Sequence, residues 1–171
     1  LSPDGTSWMR AMRAAGDTIA KRSQGRVVSR FYPGGVMGND QSVMRKIRAG
    51  QLQGGAVTIG ALAGVDKDIE IYGLPFLFHD LREVDQVRAR MDTTLLQGLE
   101  KKGFIGFGFA EGGFAYFMSN RPLKTITDLQ AGKVWAPEGD KISLTGFEAV
   151  GVSPVTLPIT DVLVALQTGL L

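Results

Sequence analysis

The hydrophobic positions of this chain fall into short runs that switch between helical and extended spacing. Trp8, Met12, Ala15 and Ile19 recur at helical intervals behind the capping segment Asp4-Gly5-Thr6-Ser7, and Gly25 offers a stop, which predicts an amphipathic helix. Val27 to Tyr32 is β-branched and aromatic and ends at Pro33-Gly34-Gly35, the pattern of a strand and turn. A second helix is predicted from about Asp40, with Val43, Met44 and Ile47 inward and Gly50 closing it. Its Arg45, Lys46 and Arg48 lie near the C-terminal end, where cations suit the helix dipole. Gly54 to Gly60 reads as a short buried strand whose glycines let the backbone approach a neighbour closely.

After an irregular Leu74-Pro75-Phe76-Leu77-Phe78, a long helix from about Leu81 carries Val84, Val87, Leu95 and Leu99 inward and stops at Gly103. Phe104 to Ala110 and Phe114 to Ser119 look like consecutive strands. Beyond Pro122 come a one-turn helix at Thr127 to Ala131, a strand at Lys133 to Ala136, a helix near Lys141 to Val150, a strand at Val155 to Leu157 and a helix from Thr160. Alternation of this kind predicts an α/β fold. Both ends read as cut, and the expectation is a fragment of a larger mature protein whose sheet lacks its first strand here.

Composition narrows the class. The chain is 44% hydrophobic and 21% charged, with mean hydropathy near zero, so it can pack a core and is too apolar for disorder. The 19 basic and 17 acidic residues are interleaved, which gives no field to attract nucleic acid. There are no cysteines, excluding disulfides, thiol catalysis and thiolate metal sites. No apolar run reaches the roughly 20 residues that span a bilayer, so direct membrane insertion is not expected, and no charged-then-apolar leader precedes Leu1.

Candidate chemistry is sparse. Gly106-Phe107-Gly108 with Gly112 and Gly113 imitates a dinucleotide fingerprint, but the third glycine comes one place late and Phe114 begins a strand instead of a helix. His79 is the single histidine and cannot form a two-histidine metal site. Glu138 and Asp140 could ligate a hard cation, yet carboxylates ahead of a helix more often cap it. Asp128 and Asp161, each behind a threonine, read the same way. A small hydrolase or transferase using Glu111, Glu138 or Asp140 lacks a visible nucleophile and base together. Trp135 stands out, because Gly132-Lys133-Val134-Trp135-Ala136-Pro137-Glu138-Gly139-Asp140 sets an indole between a strand and a polar loop, as a pocket wall would.

Several segments together resemble the DctP-type solute receptors of tripartite ATP-independent periplasmic (TRAP) transporters. They are Gly25-Arg26-Val27 leading into Phe31-Tyr32-Pro33-Gly34-Gly35-Val36-Met37-Gly38, then Arg48-Ala49-Gly50-Gln51-Leu52 and Leu74-Pro75-Phe76-Leu77-Phe78. Ser119-Asn120-Arg121-Pro122-Leu123, Asp128-Leu129 with Gly132-Lys133, and Gly151-Val152-Ser153-Pro154 follow. The series closes with Asp161-Val162-Leu163 and Ala165-Leu166-Gln167-Thr168-Gly169. The resemblance covers nearly the whole chain.

What the resemblance implies is a two-lobed, hinged periplasmic-binding-protein-like fold with the ligand cleft between the lobes. The first lobe would run over residues 1–119, and 120–171 would hold the crossing segment and the beginning of the second. It further implies a periplasmic, non-enzymatic receptor without cofactor or metal, working as a monomer, that delivers a small organic acid to TRAP membrane subunits. A ligand-binding sensor domain of a signalling receptor is the alternative. Most members carry an arginine in a Lys-x-Arg-x-Pro strand that grips a ligand carboxylate. Here that place holds Trp135, and a second arginine position corresponds to Ala115. The expected ligand-binding residues are therefore Trp135 as a stacking or apolar face, with Trp8, Thr58, Tyr116 and Glu138 around the guest, a face that would suit an aromatic or apolar acid.

Overall fold

The computed structural model describes residues 2–171. They fold as two compact units that meet in sequence between Val57 and Thr58. Among the described residues no helix is long and apolar enough to cross a membrane.

The first unit is built on α1 (Ser7–Arg22) and α2 (Asp40–Arg48). Thr6 caps α1 by accepting from the Met9 amide at 3.3 Å, and Gly25, at φ +77, lets the chain turn away after donating to Ala20 O at 2.8 Å. The inward face is rotated from the one expected. Met9 and Gly16 are buried with Met12 and Ala20 partly so, whereas Ala15 is exposed and Trp8 and Ile19 are 40% and 46% exposed. The reason is Phe31, whose ring lies where a Cβ on Gly16 would come within 2.9 Å, so the helix turns its side-chain-free position to the aromatic. In α2 the expected pattern holds: Asn39 Oδ1 accepts from the Ser42 amide at 2.9 Å, Met44 is buried, and Gly50 at φ +71 ends the helix.

The second unit starts with a correction. The strand expected over Gly54 to Gly60 does not reach its end: Ile59–Ala63 is a helix, α3, because Ala61, Leu62 and Ala63 favour helix once Thr58 takes the extended cap conformation. A 3-10 turn at Lys67–Gly73 leads to α4 (Leu81–Lys101), whose Asp80 cap accepts from the Arg82 and Glu83 amides at 2.8 and 3.0 Å. Ile69, Leu95 and Leu99 form the core of the unit, with Leu62, Val65, Tyr72, Phe104 and Phe109 packed around it.

The second part of this unit holds α5 (Ile126–Gln130), β1 (Trp135–Pro137), α6 (Lys141–Ala149), β2 (Val155–Leu157) and α7 (Val162–Gln167). β1 and β2 pair in parallel with Trp135 opposite Val155, Ala136 opposite Thr156 and Pro137 opposite Leu157, so β1-α6-β2 is a strand-helix-strand crossover. The other expected strands, at 27–32, 54–60, 104–110 and 114–119, form no ladder among the described residues. Their alternation is nevertheless present in part: Phe104, Gly106 and Phe109 face inward while Ile105 and Phe107 are 76% and 102% exposed. The 104–110 segment packs this face on α4, where a Cβ on Gly106 would meet Leu96 and Leu99, so the pattern survives there in part without strand pairing, whereas 114–119 is exposed throughout. α5 begins one cap earlier than expected, at Thr125, which forms a capping box with Asp128. Asp161 makes no side-chain cap; it accepts from the Thr160 hydroxyl instead.

Candidate ligand-binding site

β1 buries Ala136 completely on one side and leaves Trp135 and Pro137 half-buried on the other, the alternation that a strand imposes. The Trp135 indole N–H donates to Leu157 O at 2.9 Å. Trp135 is paired in register with Val155, so this bond reaches two residues along β2 and lays the indole toward the C-terminal ends of both strands. The Glu138 amide donates to the same carbonyl at 3.2 Å. One backbone oxygen thus fixes both the indole and the first residue of the following loop. In open α/β sheets ligands bind outside the carboxyl ends of the strands, where this wall stands.

The loop itself turns at Gly139 (φ +85), and the Asp140 amide donates to Pro137 O at 3.1 Å. Asp140 accepts from the Ser143 amide at 3.0 Å and from the Ser143 hydroxyl at 2.6 Å, which makes it the cap of α6 rather than a cation ligand. Gly60 approaches so closely that a Cβ on it would lie 3.3 Å from Gly139 O. The start of α3 thereby meets the Glu138-Gly139-Asp140 loop at Gly60, two residues after Thr58. Between them lies a cleft of about 50 Å³ lined by Ile59, Gly60, Glu70, Gly73, Asp140 and Lys141, far below the roughly 300 Å³ of a small-molecule pocket.

The remaining expected site residues are placed differently. Tyr116 lies on the extended segment after Phe114, is 80% exposed, and among the described residues makes no hydrogen bond or ring contact. Its neighbour Phe117 packs edge-on against Phe147 of α6, with centroids 5.9 Å apart. Trp8 belongs to the first unit, half-turned from its core. Glu138 is exposed.

Sequence reasoning missed a polar network that anchors the 109–111 segment. The Tyr72 hydroxyl donates to Asp92 Oδ1 at 2.5 Å, and Arg88 donates to Asp92 Oδ2 at 3.2 Å and to Phe109 O at 2.7 Å. Glu111 Oε2 lies 3.7 Å from Arg88 Nη1. Burial, then the Asp92 carboxylate, pushes the Tyr72 hydroxyl well above the ordinary phenol range, so it stays a donor. Only the recurrence of Arg88 and Asp92 at i, i+4 signalled this in the sequence. His79 is exposed and pairs with Glu83 at 3.1 Å, and the His79 amide and ring hold the Glu83 carboxyl below its usual value. Among the described residues no three His, Cys, Asp or Glu side chains gather as a metal site. The 106–113 glycines lie in extended chain that leads into no helix, so no helix N-terminus meets a pyrophosphate there.

The sequence profile described as bacterial extracellular solute-binding protein, family 7 (DctP), spans residues 1–170. The chain belongs to this family. The family 7 chain is 28% identical over 151 residues to the C4-dicarboxylate-binding periplasmic protein DctP of Rhodobacter capsulatus, covering 87% of this chain and 45% of that protein. It spans about half the length of the curated relatives it matches. Among solved structures it is similar to a TRAP periplasmic solute binding protein from Xanthobacter autotrophicus with bound β-D-galacturonate (TM-score 0.87, 21% identity, 99% of this chain and 57% of that one). It is equally similar to one from Desulfovibrio salexigens with bound orotic acid (TM-score 0.87, 24% identity, 100% and 55%). The family 7 chain therefore has the expected α/β, periplasmic-binding-protein-like fold, of which it represents about half.

Proposed function

We propose that this chain is the capturing part of a periplasmic receptor that binds a small organic acid, carries out no reaction on it, and hands it to the membrane subunits of a TRAP transporter. Membership of family 7 over residues 1–170 supports the receptor role, and the relatives named for dicarboxylates, a uronate and orotic acid support an acid as guest. The lobes would run over 1–119 and from 120 onward, with the ligand between them. Ligand entry would be followed by closure, favoured because the second lobe touches the guest only when shut.

The observation that carries the finer reading is the Trp135 indole, tied to Leu157 O at the carboxyl ends of β1 and β2. A pinned, half-buried ring offers a flat face and no positive charge. It suits stacking on an aromatic or apolar acid better than a bidentate grip on a carboxylate. Thr58 and Glu138 would border the same guest, with Trp8 and Tyr116 brought in when the receptor shuts. The acid group would be met by backbone N–H groups.

Calorimetric titration of the intact receptor with orotate and with galacturonate tests this. The expected result is tighter binding of the aromatic acid, and a Trp135→Ala variant that loses at least about tenfold, roughly 1.4 kcal/mol. An affinity unchanged within about 0.5 kcal/mol would remove Trp135 from the site. Turnover of either compound would overturn the receptor reading itself.

A further inference from the structure

The first unit carries a second concave feature that the receptor reading does not use. Val36, Met37 and Gly38, on the loop before α2, line a groove of about 420 Å³ together with Ser42, Arg45 and Lys46. The groove is open to solvent; Gln51 also lines it, and no acidic side chain does.

Its two cations are held in place. Arg45 Nη2 donates to Ser42 Oγ at 2.8 Å, and Lys46 Nζ donates to Met37 O at 2.9 Å. Cations in a last turn are ordinarily explained by attraction to the terminal carbonyls of the helix. Here their hydrogen bonds run toward Ser42 and Met37, on the side of the groove. Among the described residues neither forms an ion pair with a carboxylate. Both cations line the same groove, and an anion held there would offset the repulsion between them. The guanidinium and ammonium keep further N–H donors beyond the bonds just named, and Val36, 70% exposed beside them, offers an apolar surface.

We infer that this groove binds a small carboxylate anion, with Arg45 and Lys46 on the carboxylate and Val36 against its carbon chain. Every residue named lies in the first unit, so the inference stands or falls separately from the reading of Trp135.

Amide and side-chain NMR during titration with succinate reads both places at once. Saturable movement of the Ser42 and Gln51 amides and the Arg45 Nε–H is expected, weakened at least about fivefold in R45Q and in K46Q, as loss of a charge-assisted bond requires. Arg45 is exposed, so R45Q keeps its fold even if K46Q, which frees the Met37 carbonyl, does not. The inference is overturned if succinamide, or sodium chloride at equal ionic strength, moves the same signals as far, or if R45Q binds as well as the parent chain. Movement confined to the Trp135 indole N–H overturns it too, while supporting the other site.

Discussion

Gly98 lies inside α4, where a glycine ordinarily weakens a helix by close to 1 kcal/mol relative to alanine. Its position is explained by Asp66, whose carboxylate occupies the space a Cβ would need. Asp66 is buried and held by Lys102 Nζ at 3.1 Å, with the Asp68 amide donating to it at 3.3 Å. The ammonium, then that amide, keeps the Asp66 carboxyl below the usual carboxylate range despite burial. Gly98→Ala should therefore destabilise the chain, by about 1–2 kcal/mol, where helix propensity alone predicts a gain. The sign of the pH effect follows. A depressed carboxyl contributes stability that is present above its unfolded pKa near 4 and lost as pH falls through the lower folded value. Part of the damage comes from displacing a charged Asp66, so the gap between parent and variant should narrow below that pKa. Urea unfolding of both chains at pH 7 and at pH 3 measures it, and a stabilised variant at pH 7 would contradict the account.

At the scale of elements, legibility depended on whether an element carries its own signal. α2, α4, α6 and β2 appear within a residue or so of their expected bounds, because caps such as Asn39 and Asp80 and stops such as Gly50 and Gly103 are local. The face of α1 was misplaced because Phe31, remote in sequence, decides which side of the helix turns in. The first two residues of α3, Ile59 and Gly60, were read as strand because small and branched residues between glycines fit the start of a short helix as well. The segment 104–110 shows where alternation fails. Phe109 meets Tyr72 edge-on with centroids 5.6 Å apart and packs on the core, while Phe107, two residues earlier and on the same face by strict alternation, stands fully exposed, because Gly108 between them, at φ +144, shifts the pattern by one residue. Phe109→Ala should cost about 2–3 kcal/mol and Phe107→Ser less than about 0.5, since only the first opens a cavity. Thermal unfolding of the two variants side by side checks this, and equal losses would mean that the face assignment is wrong.

For the whole molecule, the site was legible only as far as one strand and its loop. Trp135 and Glu138 are neighbours in sequence, and the motif around them already placed an indole at a strand end. The Leu157 carbonyl that fixes both was not legible, because backbone acceptors leave no mark on residue type. Gly60, two residues after Thr58, meets this loop at Gly139, a contact that glycine spacing only hinted at. Tyr116 and Trp8 were expected opposite Trp135, and under the proposed function they would meet the guest only on closure. Closure would have a consequence for the intact protein that binding alone lacks. Ligand at about 100 times its Kd stabilises any binding protein by about 2.7 kcal/mol, whether or not it moves. A hinged receptor must also become more compact, because the ligand shifts the population toward the shut form by its extra contacts there. The radius of gyration from solution scattering should therefore fall on saturation with a bound acid. In Trp135→Ala the same fall should appear at higher ligand concentration, since that variant weakens one wall without removing the hinge. A stabilised receptor of unchanged radius would show that the guest is held by one lobe alone.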